Sequence, residues 1–161
     1  MIVVSDTSPL NYLVLVRHEH VLPALFDRVV APPAVIREML HSGAPAMVQA
    51  WASSPPKWLE VIAPAVIDPK LALGLGELEA IGLAQELQAD ALLLDERTAV
   101  AVARRLGLTV TGTLGVLELA AERGLVDLPL VLAELRQSTF RCSEQVYQEI
   151  LRRDARRGAQ E

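Results

Sequence analysis

Acidic residues stand where apolar strands should end and where helices should begin. Asp6 follows the run Ile2-Val3-Val4-Ser5, and Asp95 follows Ala91-Leu92-Leu93-Leu94, the most apolar strand candidate in the chain. Glu38 falls within the helix expected after Pro32-Pro33, and Glu77 in the first turn of the helix that follows Gly76. Strands of a parallel sheet end on one edge, so Asp6 and Asp95 converge if their strands are neighbours. Singly, each acid has an ordinary structural use: Asp6 or Asp95 as a helix cap, Glu77 as a favourable charge at a helix N-terminus. Together, four carboxylates in one cleft repel one another, and a divalent cation relieves that repulsion. An all-oxygen donor set suits Mg²⁺ or Mn²⁺, and Mg²⁺ in such sites keeps several waters. The chemistry open to such a centre is attack of an activated water on phosphorus, with a second metal, where present, stabilising the departing oxygen.

Several neighbours bear on this reading. Glu79 competes with Glu77 as the third acid, but on one helix the two point roughly 200° apart. Glu77 shares a face with Ile81 and Ala84, which should look toward the sheet, and is preferred; Glu79 is then exposed or a supporting acid. Glu96, adjacent to Asp95, could assist or replace it. The hydroxyl of Thr7 or Ser8 could hydrogen-bond an acid or a metal-bound water, and Ser8 also reads as the cap of a helix opening at Pro9. Arg97 reads equally as a phosphate contact and as a surface arginine. Other chemistries find little support. His18, His20 and His41 lack a zinc-binding arrangement with cysteines, and Cys142, the single cysteine, has no paired histidine in view. Gly112-Thr113-Leu114-Gly115 lacks the lysine of a phosphate-binding loop, and Gly112 reads as a turn before a helix. Gly74-Leu75-Gly76 lacks the context of a dinucleotide fingerprint.

The elements that must position these acids alternate along the chain. Strands are expected at Ile2–Ser5, Val29–Ala31, Trp58–Ile62, Ala91–Leu94 and Leu108–Val110. Between and after them come helices at Pro9–Val14, His20–Phe26, Pro33–Leu40, Met47–Ala52, Glu77–Gln88, Thr98–Leu106, Thr113–Arg123, Pro129–Leu135 and Ser143–Leu151. Alternation of this kind predicts an α/β fold, a three-layer α/β/α sandwich with a central, mostly parallel sheet and right-handed crossovers. A length of 161 residues suits one domain, expected over residues 1–151, with 152–161 as a basic, frayed tail. The four arginines of Arg152–Arg157 suit the solvated end of a helix; they could also face a phosphate backbone or an acidic partner. With 52% of residues apolar and only two each of Phe, Tyr and Trp, the core should be aliphatic. One cysteine allows no disulfide within the chain and points to the cytoplasm. The N-terminus does not read as a signal peptide, and no apolar run is long enough for a membrane span. A formal net charge of −5 argues against broad nucleic-acid binding of the kind that rests on Lys and Arg.

Three blocks of the sequence resemble the PIN-domain nucleases, in particular the prokaryotic branch that includes the VapC-type toxins of toxin–antitoxin pairs. They are VVSDTSPLNYLVLV, VVAPPAVIREML and GLGELEAIGLAQELQADALLLDERTAVAVARRLGLTVTGTLGVLELAAERGLV. The likeness covers roughly residues 2 to 150. It implies a PIN-like fold and a Mg²⁺- or Mn²⁺-dependent endoribonuclease whose metal and catalytic residues are Asp6, Glu38, Glu77 and Asp95. The family's usual separation of third and fourth acids is the eighteen residues between Glu77 and Asp95. The resemblance further implies an RNA substrate cut to leave 5′ phosphates, a small antitoxin protein that blocks the cleft, and a homodimer paired through helices of the first half. The chain departs from the family pattern in two places. Leu93 stands where many members carry Thr or Ser two residues before the last acid, and Glu77 stands where many carry Asp. The alternative reading is a catalytically silent PIN-like binding or dimerisation module; a third is metal-dependent phosphoryl chemistry on DNA or another substrate.

Overall fold

Short aliphatic runs rich in valine and leucine become strands where a capping acid, proline or glycine stops them. The computed structural model describes residues 1–161. Its strands are β1 (Ile2–Ser5), β2 (Arg28–Ala31), β3 (Leu59–Val61), β4 (Ala91–Leu93) and β5 (Val110–Thr111). They form one sheet in the order β3-β2-β1-β4-β5, and every pairing is parallel. The expected sheet was mostly parallel; this one is wholly so. From β1 the chain builds outward to β3 on one side, then crosses to β4 and β5 on the other. Connections therefore reverse direction between β1 and β4, and open α/β sheets place their ligands beyond the carboxyl ends of strands at such a point.

The chain has nine helices: α1 (Thr7–Leu15), α2 (Val21–Leu25), α3 (Pro33–Leu40), α4 (Ala46–Ser53), α5 (Leu75–Glu86), α6 (Arg97–Arg105), α7 (Thr113–Glu122), α8 (Leu128–Arg136) and α9 (Glu144–Gly158). On one face of the sheet, Val4, Val30 and Leu92 lie in register and pack with Ala80, Ile81, Leu83 and Ala84 of α5 and Ala99, Val102 and Ala103 of α6. Strand residues alternate between faces, so Val3, Val29 and Leu93, equally buried, look the other way. Right-handed crossovers put the β1-to-β3 connections on that second face, which Leu10, Leu13, Leu22, Val35 and Met39 help to fill as buried side chains. The result is helix, sheet and helix in three layers, as expected from the alternation.

The boundaries differ from expectation most at three places, each for a local reason. Helix α1 opens at Thr7 with Asp6 as N-cap, so Ser8 lies inside the helix and does not cap it. The extended backbone of Asp6 (φ −77°, ψ 177°) still belongs to the sheet, its N–H donating to the Leu93 carbonyl at 2.9 Å. Strand β5 starts at Val110, not Leu108. Gly107 closes α6 in the left-handed conformation (φ 84°), and the Leu108 N–H is spent on the Ala103 carbonyl. A short 3₁₀ turn at Pro69–Leu71, capped by Asp68, was not foreseen.

The chain divides into two compact units, Met1–Thr113 and Leu114–Glu161. The first contains the whole sheet and all four candidate acids. Within the second, α9 continues past Leu151 to Gly158, so the basic segment is helical where a frayed tail was expected. Arg153 grips Glu118 with two hydrogen bonds (3.1 and 2.8 Å), and Arg157 reaches Glu122 and Asp154 at 3.5 and 3.3 Å. Anchored arginines of this kind hold the last turns in place.

Candidate active site

Asp6 is the centre of the arrangement. The β1–β4 ladder carries its backbone to the carboxyl edge of the sheet, and its residue is only 6% exposed. Although Asp6 occupies the N-cap position of α1, its side chain makes no capping hydrogen bond. Its Oδ1 is buried with no partner at all. Burial pushes the Asp6 carboxyl up to about 7; the Thr7 amide pulls against this, while the negative charges of Glu77, Glu38 and Asp95 push further in the same direction. All three other acids expected from the sequence are therefore near enough to repel it.

The other three are held by hydrogen bonds from neighbouring residues. Asp95, past the end of β4, accepts the Thr113 N–H on Oδ1 at 2.7 Å and the Thr113 hydroxyl on Oδ2 at 2.6 Å. Burial raises its pKa, and the Thr113 hydroxyl and amide oppose that rise. Glu77 reaches back from the first turn of α5 to accept the Gly74 N–H at 3.1 Å, half of a capping box. Its pKa is also raised, by burial first, with the charges of Glu96 and Glu38 adding and the Gly74 amide opposing. Glu38, exposed on α3, accepts a hydrogen bond from the Thr7 hydroxyl. A buried orphaned oxygen on Asp6 and a donor set made only of carboxylates fit a hard cation such as Mg²⁺, which is bound through one or two carboxylates and keeps water in the rest of its shell. In this arrangement no three acidic, histidine or cysteine side chains stand close enough together to hold an ion among them.

The second-tier residues separate clearly. Glu79 points away from this group: it accepts the Ala34 N–H at 2.8 Å at the start of α3 and stands 3.7 Å from Arg37. It is a cap supplied from a neighbouring helix, so of the two candidate glutamates on α5 only Glu77 joins the acidic group. Glu79→Ala is expected to cost about 1 kcal/mol of stability, the value of a lost cap. Thermal melts and nuclease assays side by side check this, since a catalytic Glu79 would lose activity without that loss of stability. Glu96 is the N-cap of α6, accepting from Thr98 N–H (3.1 Å) and Ala99 N–H (2.8 Å). It adds negative charge near Glu77 while serving as a helix cap. Ser8 makes no hydrogen bond to an acid; Thr7 does.

Three contributors escaped the sequence reading. Thr113, fully buried, was seen only as a helix start and Gly112 only as a turn. Gly76 was seen only as the residue before Glu77. A Cβ on Gly112 would stand 2.7 Å from Asp95 Oδ1, and one on Gly76 would stand 2.6 Å from Glu38 Oε1. The signal was present in the types, Gly-Thr after a strand and Gly one residue before an acid's turn, but its meaning needed the sheet order. A groove of about 520 Å³ lined by Ala65, Val66, Ile67 and Gly82 holds none of these acids.

The wholly parallel α/β sheet carries candidate carboxylates past β1 and β4, its switch-point strands. A family model described as "DUF3368: PIN domain" matches residues 2–156, and the chain belongs to the PIN-domain family, whose members are generally nucleases that use divalent metals. None of the curated proteins matches it. Among solved structures, it is similar to a PilT N-terminus domain protein from the hyperthermophilic archaeon Sulfolobus solfataricus P2. The two are 18% identical with a TM-score of 0.49, over 89% of this chain and 100% of the other. No helix is long and apolar enough to cross a membrane.

Proposed function

We propose that the chain is a Mg²⁺- or Mn²⁺-dependent endoribonuclease in which Asp6, Glu38, Glu77 and Asp95 hold the cation, partly through water. The observation that carries this reading is the buried, unpartnered Oδ1 of Asp6 among three other carboxylates. A buried polar oxygen without a partner costs about 1–3 kcal/mol, and nearby negative charges add to that cost. When bound, the cation supplies activation of water and neutralisation of charge at phosphorus.

The chain's own residues do the rest. Asp6, ionised, presents Oδ1 at the sheet edge. Asp95, held by Thr113, presents a fixed carboxylate beside it, and Glu38 and Glu77 close the acidic group from α3 and α5. Arg97, exposed at the first position of α6, is two residues from Asp95 and offers a charge for the phosphate backbone. The reading extends by family resemblance to a toxin role, with a small antitoxin seated over the cleft and a homodimer as the working form. Incubating the protein with labelled hairpin RNA, single-stranded RNA and single-stranded DNA in Mn²⁺ tests the substrate class. Cuts in the hairpin loop and in the single-stranded RNA that leave 5′ phosphates are expected, whereas preferential cutting of DNA would sink the ribonuclease reading.

A second reading is a PIN-like binding or dimerisation module without catalysis. It is favoured by the hydrogen bonds that occupy Glu38, Glu77 and Asp95. Binding of RNA with no cleavage in any metal would select it.

A further inference from the structure

Two of the four carboxylates are restrained by the same pair of devices. Asp95 takes one hydrogen bond on each oxygen from Thr113, and its Oδ1 lies in the space that a Cβ on Gly112 would fill. Glu38 takes a hydrogen bond from Thr7, and its Oε1 lies in the space that a Cβ on Gly76 would fill. Neither glycine is required by backbone conformation, because the positive-φ glycines of this chain are Gly107 and Gly124. At ordinary φ a side chain is excluded only by what it would strike, and here that is a carboxylate. Resting on the proposed cation site, we infer that Thr7 and Thr113, with Gly76 and Gly112, are positioning residues that fix the orientation of Glu38 and Asp95 toward the cation.

The physical need is specific. A carboxylate on a flexible stem samples several rotamers, and freezing it on metal binding costs conformational entropy. A threonine donor restricts that freedom beforehand, and the glycine beside it leaves room for the carboxylate in that orientation. Each carboxylate oxygen accepts more than one bond, so the threonine bonds leave capacity for a cation or its waters. Helix capping does not account for the arrangement at Asp95. The Thr113 amide alone would satisfy a cap, yet the buried hydroxyl bonds the second oxygen and Gly112 clears the space. Leu93, two residues before Asp95, is buried and apolar and provides no donor.

Outer groups that orient metal ligands typically change affinity by roughly 10- to 100-fold when lost. Thr113→Val keeps the shape and the amide and removes only the hydroxyl. It should weaken Mn²⁺ binding, measured by calorimetry, by about that factor and raise the Mn²⁺ needed for half-maximal cleavage in proportion. Thr113→Ser should restore both, which a merely structural role for the methyl group would not produce. Thr7→Val, at the less buried position, runs the same test on Glu38 should Thr113→Val fail to fold. Wild type that binds Mn²⁺ and cleaves, with Thr113→Val or Thr7→Val titrating identically to it, overturns the inference alone. Wild type that neither binds Mn²⁺ nor cleaves overturns the cation site beneath it.

Discussion

Asp6→Asn is expected to lower metal-dependent RNA cleavage by roughly 10³-fold or more while the protein stays folded. A cation contributes several kcal/mol of charge stabilisation at phosphorus, and each 1.36 kcal/mol is worth about tenfold in rate. Removing the charge of the one buried, unpartnered ligand oxygen forfeits most of that contribution. The fold should survive because Asp6 makes no side-chain capping bond, and its backbone N–H, which the substitution leaves intact, holds the β1–β4 ladder. Asp95→Asn should be less clean, since an amide nitrogen would face either the Thr113 amide or its hydroxyl. Cleavage rates and far-ultraviolet dichroism on the same preparation check the pair. A folded Asp6→Asn that cleaves at the wild-type rate contradicts this role for Asp6.

The second large effect is on stability in metal-free buffer. The Asp6 pKa is raised from 3.8 to about 7 on folding, so between these values the folded chain holds a proton that the unfolded chain has released. Stability is then full below about pH 4 and falls as pH rises toward 7. At 1.36 kcal/mol per pKa unit the loss is on the order of 4 kcal/mol, and the raised pKa values of Glu77 and Asp95 act in the same sense. For a chain of this size about 1 kcal/mol moves the melting temperature by roughly 2–4 °C. Thermal melts in EDTA should therefore fall by about 10 °C between pH 4.5 and pH 8. Asp6→Asn should remove most of that slope, and Mn²⁺ at pH 8 should restore the wild type while leaving the variant unchanged. A melting temperature that is flat over this range in EDTA would contradict the electrostatic account of the site.

Much of the fold was legible in the sequence because its signals are local. Ile2–Ser5 and Ala91–Leu93 are strands because aliphatic runs end at acids, and Pro33 opens α3 because proline suits a first helical turn. What was not legible depended on contacts distant in sequence. Helix α9 runs to Gly158 because Arg153 and Arg157 find Glu118 and Glu122, more than thirty positions earlier. The same holds at the site. The candidate acids could be named from their places after strands and within helices, and the structure brings Glu38, Glu77 and Asp95 each within electrostatic reach of Asp6. Helix geometry sets Glu77 and Glu79 on different faces, but that Glu79 caps α3 could only be seen once α3 and α5 were neighbours. Gly112, Thr113 and Gly76 act through space left empty or a bond made eighteen residues away, and such features leave no periodic trace in a chain.

The most direct test compares wild type and Asp6→Asn on a panel of structured RNAs in Mg²⁺, in Mn²⁺ and in EDTA. Cuts that need the metal and vanish in the variant are the predicted result. Metal-independent cuts, or a well-folded wild type that neither cleaves nor binds metal, would contradict a cation-dependent nuclease centred on Asp6.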